Sequence, residues 1–168
     1  MGKIRHTQEP NVHKTKKSGR IIIRKELCWG CGICELACSL YHEKWCSPSL
    51  SRISVKKNFL ELDFEPEVCI QCEWPSCYYE CPVGAIAIDM KNGARFIDPN
   101  QCTGCSRCVK VCPIMPDVEA IKYKESGKTR IYFKCDLCRG RNEGPLCVAV
   151  CPRNALRYDR TSEGCKSC

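Results

Sequence analysis

One spacing recurs four times along this chain and limits what the chain can fold into. Cys28-x2-Cys31-x2-Cys34-x3-Cys38 is followed by Cys69-x2-Cys72-x4-Cys77-x3-Cys81, by Cys102-x2-Cys105-x2-Cys108-x3-Cys112 and by Cys135-x2-Cys138-x8-Cys147-x3-Cys151. Sixteen of the 19 cysteines in 168 residues are used in this way, and Pro82, Pro113 and Pro152 follow the closing cysteine of the last three groups. Cysteine at this density marks a class of protein by itself. With only four Phe and three Trp, burial cannot offset the ordering entropy alone, so covalent or coordinate bonds must hold the fold. An ordinary α/β enzyme and a coiled coil are excluded. Aliphatic runs such as Ile21-Ile22-Ile23 fall far short of the ~18 residues that suggest a membrane span.

Disulfides and metal are the two ways to use so many thiols, and the compartment separates them. The N-terminus, MGKIRHTQEPNVHKTKKSGR, is basic and polar, without the apolar stretch of a secretory signal and without a twin-arginine pair. An odd total of 19 also suits a closed disulfide framework poorly. The expectation is a cytoplasmic chain whose thiols bind metal. Zinc would ask for two C-x2-C pairs some ~15–20 residues apart. Here a closing cysteine follows at x3 in every group.

The first and third groups match the C-x2-C-x2-C-x3-C run that holds [4Fe–4S] clusters in bacterial ferredoxins, and the third carries the trailing proline as well. The other two keep the leading C-x2-C and the closing C-x3-C around a longer middle loop. Three thiolates on one tight loop can reach three irons of one cubane. The fourth, a helical turn further on, points the other way, and in two-cluster ferredoxins it ligates the second cluster. The expected ligand sets are therefore Cys28, Cys31, Cys34 with Cys151; Cys135, Cys138, Cys147 with Cys38; Cys69, Cys72, Cys77 with Cys112; and Cys102, Cys105, Cys108 with Cys81. The formal charge of +8 fits four such centres. Counting its thiolates, each oxidised cluster carries about −2. The Lys/Arg excess thus reads as compensation, and no nucleic-acid partner is expected.

Short strand-like pieces lie between the groups. Arg20–Arg24 precedes the first, and Asn154–Tyr158 follows the last. Ala85–Asp89 and Ala94–Asp98 flank Asn92-Gly93, a tight-hairpin signal. Ala120–Lys124 and Lys128–Lys134 form a second pair around Gly127. The longest helix expected is a short one around Cys34–Leu40. The fold class is α+β and ferredoxin-like. Two pseudo-symmetric bis-cluster units, one nested inside the other, are built of small hairpins and short helices around a cluster-held core. The basic arm is 1–19, the outer unit 20–59 with 118–160, the inner unit 60–117, and the tail 161–168. Tyr41–Pro66 and Ile114–Val118 serve as crossing connections.

In this arrangement the chain resembles the four-cluster polyferredoxin subunits of molybdenum and tungsten oxidoreductases, typified by the dimethyl-sulfoxide-reductase iron–sulfur subunit. The likeness covers about residues 20–160. Cys28-Trp29-Gly30-Cys31-Gly32-Ile33-Cys34-Glu35-Leu36-Ala37-Cys38-Ser39-Leu40-Tyr41-His42-Glu43, with Pro48–Ile53, is similar to small subunits paired with tungsten enzymes of the aldehyde:ferredoxin oxidoreductase family. That family includes aldehyde oxidoreductases and class II benzoyl-CoA reductases. The resemblance implies a non-catalytic electron-transfer subunit carrying four [4Fe–4S] clusters. The clusters would form a wire from a large pterin-dependent (tungsten or molybdenum) catalytic subunit to a flavin- or ferredoxin-type donor or acceptor, or to a second copy of itself. An anaerobic setting goes with it, whereas the C-terminal apolar span of membrane-anchored relatives has no counterpart in this sequence, and no membrane span is expected. The segment Pro113–Ile121 departs from the family's shorter turn, seen here at Pro82-Val83-Gly84-Ala85-Ile86.

No residue outside the quartets suggests a nucleophile, an acid–base pair or an open metal site. The alternatives to a docked subunit are a free-standing polyferredoxin serving several oxidoreductases, and an iron–sulfur sensor or structural protein. A sensor lacks residues for a regulatory domain, and the basic charge disfavours a free ferredoxin. Cys46, Cys165 and Cys168 read as free thiols, with zinc binding alongside His42 the alternative. Trp29, Trp74 and Tyr132 read as shields over the clusters. Lys14–Lys17 with Arg20 reads as a solvated arm, and His6 and His13 read as exposed.

Overall fold

The computed structural model describes residues 17–160. His6, His13, most of the basic arm, Cys165 and Cys168 lie outside the described residues. In chain order the elements are β1 (Arg20–Ile23), α1 (Ile33–Glu43), β2 (Ile53–Asn58), β3 (Asp63–Val68), α2 (Ser76–Tyr79), β4 (Ile86–Ile88), β5 (Arg95–Ile97), α3 (Arg107–Lys110), β6 (Ile121–Ser126), β7 (Thr129–Lys134), α4 (Leu146–Ala149) and β8 (Leu156–Asp159). Single 3₁₀ turns at Lys25–Leu27 and Pro48–Leu50 flank α1.

The strands pair two by two, all antiparallel, as β1 with β8, β2 with β3, β4 with β5 and β6 with β7. Three of these pairs are local hairpins. The β4–β5 turn needs its glycine: Gly93 has φ +73, and a Cβ there would lie 2.2 Å from the Lys17 carbonyl oxygen. The β1–β8 pair is not local. Ile21 faces Tyr158 and Ile23 faces Leu156, which brings the first and last strands of the described residues together and sets the first cysteine group beside the fourth. Helix α1 packs on α4, while α2 packs on α3. In sequence, the second and third groups thus lie between the two outer groups that pair with each other.

Two-stranded ribbons are marginal alone in water. Here they lean on one buried cluster in which Ile21, Ile53, Val68, Ile86, Ile121, Leu137 and Leu156 interleave with Cys34, Cys38, Cys69, Cys77, Cys108, Cys135 and Cys147. The core and the thiols occupy the same space.

The helices follow the prolines. Each of α2, α3 and α4 is a single turn of four residues carrying the third cysteine of its group. The closing cysteine and then proline come directly after, and proline cannot donate to a continuing helix. No proline follows Cys38, and α1 runs on for 11 residues to Glu43, beyond the short helix expected there. The stretch Tyr41–Pro66, expected as a plain connection, contains most of the β2–β3 hairpin. Its buried Ile53 and Val55 alternate with less buried neighbours, the period of a half-buried strand. The expected boundary between 59 and 60 falls inside that hairpin's turn.

Candidate metal centres

Each cysteine group opens with the same backbone device. The residue just before the second cysteine has a left-handed backbone: Gly30 at φ +66, Gln71 at +56, Gly104 at +74 and Leu137 at +56. That bend turns the loop back so that its two flanking cysteines face one space. Glycine takes this conformation freely, whereas other residues do so at a cost. At Gly104 a Cβ would meet the Arg130 carbonyl oxygen at 2.5 Å. Gln71 and Leu137 are held instead by burial, at 0% and 1% exposure.

The thiols gather around cavities. One cavity, with about 360 Å³ of empty space, is lined by Cys28, Cys31 and Cys34 together with Cys151. Another, of about 310 Å³, is lined by Cys102, Cys105 and Cys108 together with Cys81. In both, three cysteines of one group meet the closing cysteine of another. For the remaining eight, electrostatic reach gives neighbours both within and between the expected sets. Cys77 lies within reach of Cys69 and Cys112. Cys147 lies within reach of Cys38 and Cys138, and Cys135 within reach of Cys147. Cys72 stands with Cys69 and Cys77 around Arg95. Among the described residues, no three His, Cys, Asp or Glu side chains converge closely enough to hold one metal ion. The thiols are instead spread around a space, as a cubane's four irons require.

Burial is the main influence on these thiols. It pushes Cys34 up to about 12, aided by the nearby Glu35 carboxylate. It likewise pushes Cys108 to about 12 and Cys138 to about 11, and raises Cys28, Cys38, Cys77, Cys135 and Cys147. Without metal these groups stay protonated at neutral pH. A coordinated metal takes the proton's place and deprotonates a thiol outright. Main-chain amides point at several sulfurs: Ala85 N–H donates to Cys81 Sγ at 3.2 Å, Arg52 N–H to Cys38 Sγ at 3.3 Å and Leu146 N–H to Cys138 Sγ at 3.3 Å. Such bonds tune cluster potentials. Four inward thiols, an apolar cavity wall and amide donors fit a [4Fe–4S] centre.

Other residues fall out as follows. His42 is half-buried beside the fourth group, with Nε2 3.4 Å from Asp136 Oδ1 and 3.9 Å from Cys138 Sγ. Burial holds its imidazole down at about 3. Cys46 is exposed. Tyr132 is buried against the third group's cavity. Trp29, expected as a shield, is 66% exposed; it lines the first cavity at its edge, with Arg153 3.9 Å above its ring. Trp74 is also exposed. Five residues inside or beside the quartets went unremarked in the sequence: Glu35, Gln71, Arg95, Lys134 and Asp136. Only Gln71 had a signal, since it stands where Gly30 and Gly104 stand in their groups.

Hairpins, single-turn helices and cysteine-walled cavities define a ferredoxin-type iron–sulfur protein. The "4Fe-4S dicluster domain" family pattern matches residues 60–161, and the chain belongs to this family of iron–sulfur electron-transfer subunits of oxidoreductase complexes. It is similar to the aliphatic sulfonate oxidoreductase polyferredoxin-like subunit of Pyrococcus furiosus, at 37% identity over 78% of this chain and 70% of that one. It is also similar to the putative electron transport protein YsaA of Escherichia coli, at 36% identity over 82% of this chain and 87% of the relative. Among solved structures, the active site complex BamBC of benzoyl coenzyme A reductase with benzoyl-CoA aligns at 24% identity and TM-score 0.48, over 86% of this chain and 81% of that one. Among the described residues no helix is long and apolar enough to cross a membrane.

Proposed function

We propose that the chain holds four [4Fe–4S] clusters in the crossed ligand sets expected from its spacing. The carrying observation is that each of two cavities gathers three cysteines of one group and the closing cysteine of another, Cys151 or Cys81. Groups one and four form an outer unit (20–59 with 118–160), and groups two and three an inner one (60–117), with the β2–β3 hairpin bridging them.

Electrostatic reach links the sets in one order. Cys34 acts on Cys147, joining the first site to the fourth. Cys69 acts on Cys135, joining the fourth to the second. Cys77 acts on Cys108, joining the second to the third. The four sites thus form one row, and clusters bound there pass single electrons along it. The protein's residues fix spacing and exclude water. One end serves a large catalytic subunit carrying tungsten- or molybdenum-pterin. The other serves a ferredoxin- or flavin-type partner in the cytoplasm. Two observations support a permanent subunit: the formal charge of +8, and the named role of the Pyrococcus relative as an oxidoreductase subunit.

The test is Cys38→Ser in anaerobically purified complex. Under crossed ligation, the spectrum of the fourth group's cluster changes and that of the first stays. A change confined to the first group's cluster would mean four independent sequential sites. Co-purification of a large subunit containing tungsten or molybdenum tests the partner.

A further inference from the structure

Two cations are buried against one of the four sites. Lys134, the last residue of β7, is 4% exposed, and Arg95, the first of β5, is 1% exposed. Lys134 directly precedes Cys135, whose carbonyl accepts from Gln71 Nε2 at 2.6 Å, so it lies beside the second group's loop, within electrostatic reach of Cys69, Cys77 and Cys135. A bound cluster, carrying about −2 with its thiolates, favours the charged ammonium against burial. The Arg95 guanidinium lies among Cys72, Cys69 and Cys77. Its Nη1 donates to the Gly93 carbonyl at 2.8 Å and its Nη2 to that of Glu73 at 3.3 Å, while its buried Nε has no hydrogen-bond partner. Among the described residues, neither cation is paired with a carboxylate.

Two of the other sites, the first and the fourth, have carboxylates in the corresponding places. Glu35, 6% exposed, acts directly on Cys34 in the first site, with Lys57 3.3 Å away as its partly exposed partner. Asp136 acts on Cys135, Cys138 and Cys38 of the fourth site, where Arg52 and Arg141 stand as counter-charges. Arg52 is itself engaged by Glu43 at 2.9 Å.

Reduction adds one electron to a site whose oxidised cluster and thiolates already carry about −2. A nearby buried cation favours the reduced form, and a buried carboxylate disfavours it, both weakly screened away from water. We propose that Lys134 and Arg95 make the site of Cys69, Cys72, Cys77 and Cys112 the most readily reduced of the four, an electron well between the fourth and third sites. This rests on the crossed ligand sets proposed above. The well takes one electron from either neighbour and returns it to the other, so it holds one electron inside the row while a partner awaits its second. Lys134 and Arg95 are positioning residues: they act through the cluster's charge and not as ligands.

The test is a redox titration of the anaerobic holoprotein followed by electron paramagnetic resonance, with iron and sulfide counted in every sample. Lys134→Gln should lower the reduced-to-oxidised ratio of the highest-potential signal at least tenfold at fixed potential, 59 mV for a one-electron couple. The other signals should stay, Lys134→Arg should restore the ratio, and Arg95→Gln should shift it the same way. A highest-potential signal that moves less than threefold in both neutral variants at full iron content overturns the proposal. If Lys134→Gln assembles incompletely, Arg95→Gln decides alone by the same criterion. Cys112→Ser and Cys81→Ser separate this from the ligand assignment. If Cys81→Ser, and not Cys112→Ser, alters the signal that Lys134→Gln lowers, the ligand sets fail while the charge effect stands. If Cys112→Ser alters it and neither neutral variant moves it, the electron well fails alone.

Discussion

Gln71 Nε2 donates to the Cys135 carbonyl at 2.6 Å, joining the second cysteine group to the fourth across 64 residues of sequence. The same side chain accepts from the Arg95 amide through Oε1 at 2.7 Å. Gln71 is fully buried and has a left-handed backbone, so a single residue shapes one ligand loop and ties it to the next site. Cys69 and Cys135, whose sulfurs interact, are held in register by this link.

Gln71→Ala should therefore strand a buried amide and a buried carbonyl and keep the strained φ. The expected loss is about 1–3 kcal/mol, the scale of an unsatisfied buried group. Thermal bleaching of cluster absorbance in the holoprotein measures it. Bleaching at the wild-type temperature would show that the link carries no stability.

Four complete quartets imply about sixteen iron and about sixteen acid-labile sulfide per chain. Analysis of anaerobically purified protein decides this, and about twelve of each would leave one quartet without its cubane.

The apolar core shares its space with Cys34, Cys69, Cys77, Cys135 and Cys147, so cluster loss should unfold the chain, as metal loss does in other metal-held domains. Chelation under oxidising conditions should collapse the far-ultraviolet circular dichroism spectrum. A cooperatively folded apo-protein would contradict this.

Glu43 joins the end of α1 to β6. Burial pushes its carboxyl up, but hydrogen bonds from Lys124 and Arg52 outweigh that and hold it below its ordinary value of 4.5. A carboxyl lowered in the folded state stabilises above its ordinary value, and that stability fades as pH falls through the lowered one. Glu43→Gln should therefore bleach at a lower temperature than the unsubstituted protein at pH 7. The gap should narrow steadily as the pH is brought below 4.5. A gap that stays constant with pH would mean the ion pairs contribute nothing.

The sequence by itself determined the chemistry. Ligand loops are local: C-x2-C fixes two thiols within one bend, and a proline after the closing cysteine stops the helical turn. Hence α2, α3 and α4 are readable from Pro82, Pro113 and Pro152, and the β4–β5 hairpin from Asn92-Gly93. The β2–β3 hairpin is hidden in the sequence, because Pro66 and the acidic residues alternating through Glu61–Glu67 mask the strand that pairs with Ile53 and Val55. Tertiary structure decided how distant partners meet, the crossing of the ligand sets itself being expected from the spacing. The β1–β8 pairing brings Cys28 within one cavity of Cys151, and Gln71 takes a glycine's place only because Cys135 and Arg95 hold it. Lys134 and Arg95 look in sequence like any other cations of a basic chain. Folding buries them between sulfurs, where low dielectric turns an ordinary charge into an influence on one site.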